Sequence, residues 1–231
     1  MKRRNINFLL MDGTPDGRIK CTTTNSNIVV YRINKEDIDR CCDIDNLKKC
    51  GVYILVGVEE QNSDSIDLAQ TDVVYIGQAA TRSTGESFLA RLREHAEKKE
   101  YFREAILITT DNDFLGPTEI SWLENVLYKL AVKSRNYEVK NSNTPNDGSV
   151  KREERICDLE DFLELILLLV GTLGYDIFTP KVPVAYHDDK LNCNEQILSS
   201  NSNLCVCDDI EKDIVTQDDV KDCVRACLVS I

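Results

Sequence analysis

The chain has 231 residues, 42% of them apolar, and a formal net charge of −12. That length can bury a sizeable core, and that apolar share excludes a disordered composition. No window approaches the roughly 18–20 consecutive apolar residues of a membrane span. The apolar run Phe8 to Met11 behind Met1-Lys2-Arg3-Arg4 is shorter than a signal core of roughly 7–15 residues, so a cytoplasmic protein with no membrane partner is expected.

In chain order, residues 5–12 and 18–33 read as short strands, separated by the turn formers Asp12-Gly13-Thr14-Pro15-Asp16-Gly17. Residues 35–49 are predicted helical, with Ile38, Cys41, Cys42 and Leu47 on one side. Gly51-Val52-Tyr53-Ile54-Leu55-Val56 and Val73-Val74-Tyr75-Ile76-Gly77 are β-branched and aromatic, hence a strand pair, with Glu59 to Thr71 as a long hairpin loop. Residues 87–99 show helical spacing of Phe88, Leu92 and Ala96. Ala105 to Thr110 is a third strand, and Pro117 opens a helix reaching about Ser134. Asn141 to Gly148 is a loop, and Asp158 to Leu169 an apolar helix stopped by Gly171 and Gly174. Beyond residue 185 the chain is polar and acidic, with one amphipathic helix expected from about Gln217 to Val229.

The acidity is uneven: net −2 over residues 1–77, zero over 78–157 and −10 over 158–231. Local charge governs phosphate binding more than the total does, so the central third remains compatible with nucleic acid. Five of the ten cysteines, Cys193, Cys205, Cys207, Cys223 and Cys227, lie in the final 39 residues. Reduced thiols are the expectation. Zinc on these thiolates is the competing reading, weakened because Cys205-Val206-Cys207 is not the usual knuckle spacing.

Three features carry chemistry. Each has a plainer reading when taken singly. Tyr53 and Tyr75 sit in glycine-flanked strand motifs, where tyrosine usually serves packing. Arg91 and His95 fall with Phe88 and Leu92 on the i, i+3, i+4, i+7 stripe that normally faces a core. They need partners or a polar cavity there, unless the arginine snorkels at the stripe edge. Glu124 lies among Ile120, Trp122, Leu123, Val126 and Leu127, where a carboxylate is costly unless it is ion-paired or binds a metal.

Together, Gly51-Val52-Tyr53, Tyr75-Ile76-Gly77-Gln78, Arg91-Leu92-Arg93-Glu94-His95, Leu123-Glu124 and an asparagine-rich loop resemble the GIY-YIG nuclease superfamily. The opening Phe8 to Ile19 and Leu173-Gly174-Tyr175-Asp176-Ile177-Phe178 are similar to one bacterial branch of it, so the resemblance covers about residues 6–180. It implies hydrolysis of DNA phosphodiesters with one divalent cation, Mg2+ or Mn2+, held by Glu124. It gives Arg91 the phosphoryl charge, Tyr53 the attacking water, Tyr75 an orienting role, and His95 a proton or a bond to the tyrosine hydroxyl. Asn141 matches the family asparagine, with Asn143 the competitor. Gly77, Gln78, Arg93 and Asn143 are the expected substrate contacts. The first motif has valine where the family has isoleucine, and the loop between the strand motifs is long and acidic.

The expected fold is α+β: a small three-stranded mixed or antiparallel sheet flanked by helices. Residues 1–46 form a β extension packing on the core, 47–143 the nuclease-like domain, 144–180 its closing helix and 181–231 an acidic cysteine-bearing tail. The alternative is a catalytically inactive nucleic-acid or protein-binding module on the same scaffold.

Overall fold

Strand β4 (Gly51–Glu60) pairs antiparallel with β5 (Gln70–Ala79) on one side and with β6 (Phe102–Thr110) on the other. This three-stranded centre is the expected one, although both strands of the hairpin run further than the sequence suggested. Glu59, Glu60, Gln70 and Thr71, read as loop, continue the ladder to a Glu60–Gln70 pair. The computed structural model describes residues 3–60, 70–80, 88–148, 150 and 152–179. The described residues belong to one compact unit, Met1–Lys181. Residues 61–69, the rest of the expected hairpin loop, lie outside the described residues, as do the tail, its cysteines and the helix expected at 217–229.

The fold is α+β, but its sheet has seven strands, in the order β1-β2-β3-β6-β4-β5-β7. The expectation of three strands is corrected by two additions. Strands β1 (Ile6–Leu10), β2 (Ile19–Thr23) and β3 (Ile28–Asn34) form an antiparallel meander that joins the centre through β3–β6 pairing. They extend the central sheet itself, edge to edge. The cause is visible in the unbroken apolar run Ile28-Val29-Val30-Tyr31, all buried, which suits a strand covered on both faces. On the far edge, the two-residue β7 (Glu138–Val139) runs parallel to β5 and makes the sheet mixed.

Both faces of the central strands β3, β4, β5 and β6 are covered, whereas edge strand β1 is largely exposed. Helix α1 (Phe88–Lys98) packs with two short 3₁₀ helices, Lys35–Cys41 and Asp45–Lys48, over Tyr31, Ile33, Tyr53, Leu55, Ala105 and Leu107. Residues of the opposite parity, Val30, Ile54, Ile76, Ile106 and Ile108, are equally buried. Helices α2 (Pro117–Ser134) and α3 (Glu153–Thr172) contact β4, β5 and β3. The single helix expected over 35–49 is instead 3₁₀. Its buried residues Ile38, Cys41 and Leu47 recur in threes, the 3₁₀ period.

Helix α2 starts at Pro117, whose missing N–H costs nothing in a first turn. There the Gly116 N–H donates to Glu119 Oε2 at 3.1 Å. Arg135, in left-handed backbone at φ 59°, ends the helix. Helix α3 runs longer than expected, passing Gly171 and closing on Gly174 (φ 97°). The Tyr175 N–H then donates back to the Val170 carbonyl. No helix among the described residues is long and apolar enough to cross a membrane.

Candidate active site

The β4–β5 register sets Tyr53 opposite Gly77 and Leu55 opposite Tyr75, so the two tyrosines are diagonal neighbours on one face. Gly77 leaves the room this requires. A Cβ there would lie 2.5 Å from both Cζ and Oη of Tyr53. The rings stack at 6.2 Å and 30°. Gly51 serves the same geometry from the other motif, since a Cβ would meet the Ile108 carbonyl oxygen at 2.2 Å and Phe88 Cζ at 2.5 Å. That close approach seats the first turn of α1 on β4. Phe88, Leu89 and Leu92 are buried there, and the helical period then carries Arg91 and His95 to the tyrosines.

His95 Nε2 lies 2.8 Å from Tyr53 Oη, and its ring is 5.0 Å from that of Tyr75. Burial, followed by the charges of Lys99 and Arg91, pushes the imidazole down to about 4, so it is neutral at physiological pH. A neutral ring protonated on Nδ1 accepts the Tyr53 hydroxyl proton at Nε2. Burial is also the main reason that the Tyr53 phenol is held well above its ordinary range. The neighbouring Tyr75 and the charge of Glu124 add to this, and Arg91 opposes it. Tyr75 is raised by burial and by Glu124, and lowered by its hydrogen bond to Tyr53 and by Arg91. The charges of Arg91 and Glu124 therefore both reach both phenols.

Glu124 projects from α2 and is half-buried. Desolvation alone pushes its carboxyl up to about 7, and no hydrogen bond or ion pair engages it among the described residues. The ion pair that offered the plainer reading is absent there. Arg91 is instead bonded to Glu94, one turn along its own helix, at 3.0 Å. No group of three or more His, Cys, Asp or Glu side chains placed to hold a metal occurs among the described residues.

Asn141 follows β7 and continues its pairing with a side chain. Its Oδ1 accepts from the Ile76 N–H at 3.0 Å and its Nδ2 donates to the Ile76 carbonyl at 2.7 Å. Both ends of the amide thus clamp the strand beside Tyr75 and Gly77. Asn143 is exposed in the loop beyond. The Gln78 amide oxygen accepts from Ser121 Oγ at 3.3 Å, tying β5 to α2. Arg93 reaches the 3₁₀ helix, with Asp39 at 2.9 Å and Cys42 Sγ at 3.4 Å. It thus points to a different neighbour from Arg91 and His95.

Sequence reasoning missed Lys99 and Tyr101. The Lys99 ammonium lies 4.1 Å from the Tyr75 ring centroid and 5.4 Å from that of Tyr101. Burial and the charges of Tyr75 and Glu59 push the Tyr101 phenol up to about 12. Its hydroxyl is buried without a hydrogen-bond partner among the described residues. The signal was present: Lys99 continues the Arg91, His95 spacing by four more residues.

Cys21, Cys41, Cys42, Cys50 and Cys157 form no disulfide among the described residues. No protein-family model matches the chain, and neither does any curated protein or solved structure compared with it.

Proposed function

We propose that the protein is a divalent-metal-dependent endonuclease that hydrolyses DNA phosphodiesters at the Tyr53, Tyr75, Arg91, His95, Glu124 cluster. The observation that carries this reading is Glu124, a half-buried carboxylate with no cation partner among the described residues, close enough to two phenols to raise both. An unpaired carboxylate in such a place is costly unless a cation joins it. The donor set of one carboxylate fits a Mg2+ or Mn2+ ion that completes its shell with water and substrate phosphate. When bound, such an ion supplies Lewis-acid polarisation of the phosphate and stabilises the leaving oxygen.

The chain's own groups divide the remaining work. Arg91, partly exposed, offers its guanidinium to the phosphoryl oxygens by exchanging Glu94 for phosphate. Tyr53, protonated in the free protein, is a poor base by itself. Its link to His95 removes that obstacle. As the attacking water loses a proton to Tyr53 Oη, the Tyr53 hydroxyl proton moves to His95 Nε2, so no free phenolate accumulates. The water oxygen bonds to phosphorus, the bond to the sugar oxygen breaks, and that oxygen takes a proton from solvent. Neutral His95 is the required starting state, and the cations Lys99 and Arg91 help to keep it so. Asn141 holds β5 in register beneath Tyr75.

Full-length protein with Mg2+ is expected to nick or linearise plasmid, and Glu124→Ala to abolish cleavage while the circular-dichroism spectrum and melting remain those of a folded protein. Cleavage unchanged in that variant sinks the reading. DNA binding without cleavage under any divalent metal supports the inactive module instead.

A further inference from the structure

Lys99 follows directly on α1, its N–H bonded to the His95 carbonyl at 2.8 Å, so it keeps helical register one turn past the imidazole. Its ammonium is held by two phenol faces, Tyr75 and Tyr101. No carboxylate or hydrogen-bond acceptor engages it among the described residues. Neighbouring cations are treated differently: Arg91 has Glu94, Arg93 has Asp39, and Lys140 has Glu59 and Glu138. Burial without an anion beside it holds the Lys99 ammonium below its ordinary pKa range. The rings offset part of this burial penalty and leave the ammonium's hydrogen-bonding capacity unused. Beside it, the buried Tyr101 hydroxyl likewise has no hydrogen-bond partner among the described residues. A partly desolvated cation fixed on the ring of Tyr75 is therefore prepared for an anion supplied from outside the chain.

We propose that Lys99 Nζ binds a backbone phosphate of the nucleic acid, flanking the phosphate that is cut. This rests on the nuclease reading. One helical turn, about 5.4 Å, displaces Lys99 from His95 along the axis of α1. It thus lies beyond the reacting groups while remaining on the same face. Lysine suits this role because its compact charge meets a phosphate from several directions and needs no bidentate geometry. The contact positions the strand and is indifferent to base sequence.

The test uses full-length Glu124→Gln protein, so that cleavage does not intrude. A fluorescent DNA duplex is titrated by anisotropy at a series of salt concentrations. Adding Lys99→Gln is expected to weaken binding several-fold at low salt and to reduce the slope of log K against log salt by about 0.9, the value for one phosphate contact. Adding Lys99→Arg instead should restore the parent slope. Equal slopes for the parent and Lys99→Gln overturn the inference and leave the nuclease reading standing. A Lys99→Arg slope equal to that of Lys99→Gln also overturns it. No binding by the parent at any salt overturns both.

Discussion

Two carboxylates in this protein, Asp12 and Glu124, are placed in opposite company. Asp12 accepts from the Arg18 backbone N–H at 2.9 Å, from Arg18 Nε at 3.0 Å and Nη2 at 2.8 Å, and from Arg40 Nη2 at 2.6 Å. Arg40 also holds Asp37, and Arg18 donates to the Arg40 carbonyl, so the β1–β2 turn is stitched to the first 3₁₀ helix. Its carboxyl is held far below the ordinary range, chiefly by the Arg18 hydrogen bonds. Glu124 has no such partner among the described residues and is pushed the other way, up to about 7. The difference separates a charge spent on structure from a charge kept available. A saturated network fixes geometry and has nothing left to offer a ligand. An unsaturated one costs stability, which is tolerable only where a ligand completes it.

The sharpest test of that contrast is to remove one group from each region. Tyr53→Phe deletes only a hydroxyl from the open cluster. It is expected to lower kcat for plasmid cleavage by about 100- to 10,000-fold, the range for losing a general acid–base group, with melting nearly unchanged. Asp12→Ala should do the reverse: the melting temperature falls, and the cleavage rate of the folded fraction stays at the wild-type value. If Asp12→Ala abolished cleavage without unfolding the protein, the division between the two regions would be broken.

How far the sequence revealed this division depends on the range of the interactions. Local signals survived well. Pro117 marked the start of α2 because its effect is confined to its own backbone. Tyr53, Arg91, His95 and Glu124 stood out because each is a polar group on an apolar face, a conflict visible within one element. Non-local pairing was hidden. Nothing in Ile28-Val29-Val30-Tyr31 says that its partner is Ala105 to Thr110, so the sheet was read as three strands rather than seven. Strand β7 has two residues and is defined only by its neighbour β5. The segment at 35–49 misled because four aspartates within it, Asp37, Asp39, Asp43 and Asp45, compete for backbone hydrogen bonds and favour tight turns over an α-helix. Asn141 was singled out only through the resemblance, with Asn143 as competitor, and its hold on Ile76 belongs to the tertiary structure.

A smaller effect concerns the cost of leaving Glu124 unpaired. Its folded pKa is raised from 4.5 to about 7, so the folded state holds the proton more tightly than the unfolded chain does. Stability should therefore decline as pH rises from 4.5 through 7, in the absence of divalent metal. Glu124→Gln removes that decline. Because the side chain is partly exposed, the full linkage energy is discounted for solvent screening, leaving a gain of about 1–2 kcal/mol at pH 8. Below pH 4 the two proteins should agree. Urea unfolding in chelator at the two pH values reads the difference. A variant no more stable at pH 8 would mean that Glu124 has a cation partner after all.

The smallest effect runs in the opposite direction through nearly the same window. His95 is lowered from 6.5 to about 4, so between those values the unfolded chain binds the proton that the folded protein refuses. Its contribution is fully present above pH 6.5 and is lost as pH falls towards 4. In the wild type the Glu124 gain on acidification masks it, so the measurement belongs in the Glu124→Gln background. There, adding His95→Gln should flatten the acid side of the profile by roughly 1 kcal/mol, again after discounting for partial exposure. Removing the Tyr53 hydrogen bond shifts the whole curve by a constant, whereas the proton shows only as a change of slope. Parallel curves for the single and double variants would mean that His95 is protonated as easily in the fold as outside it. The Tyr53–His95 pair would then lack the neutral acceptor that the proposed proton transfer requires.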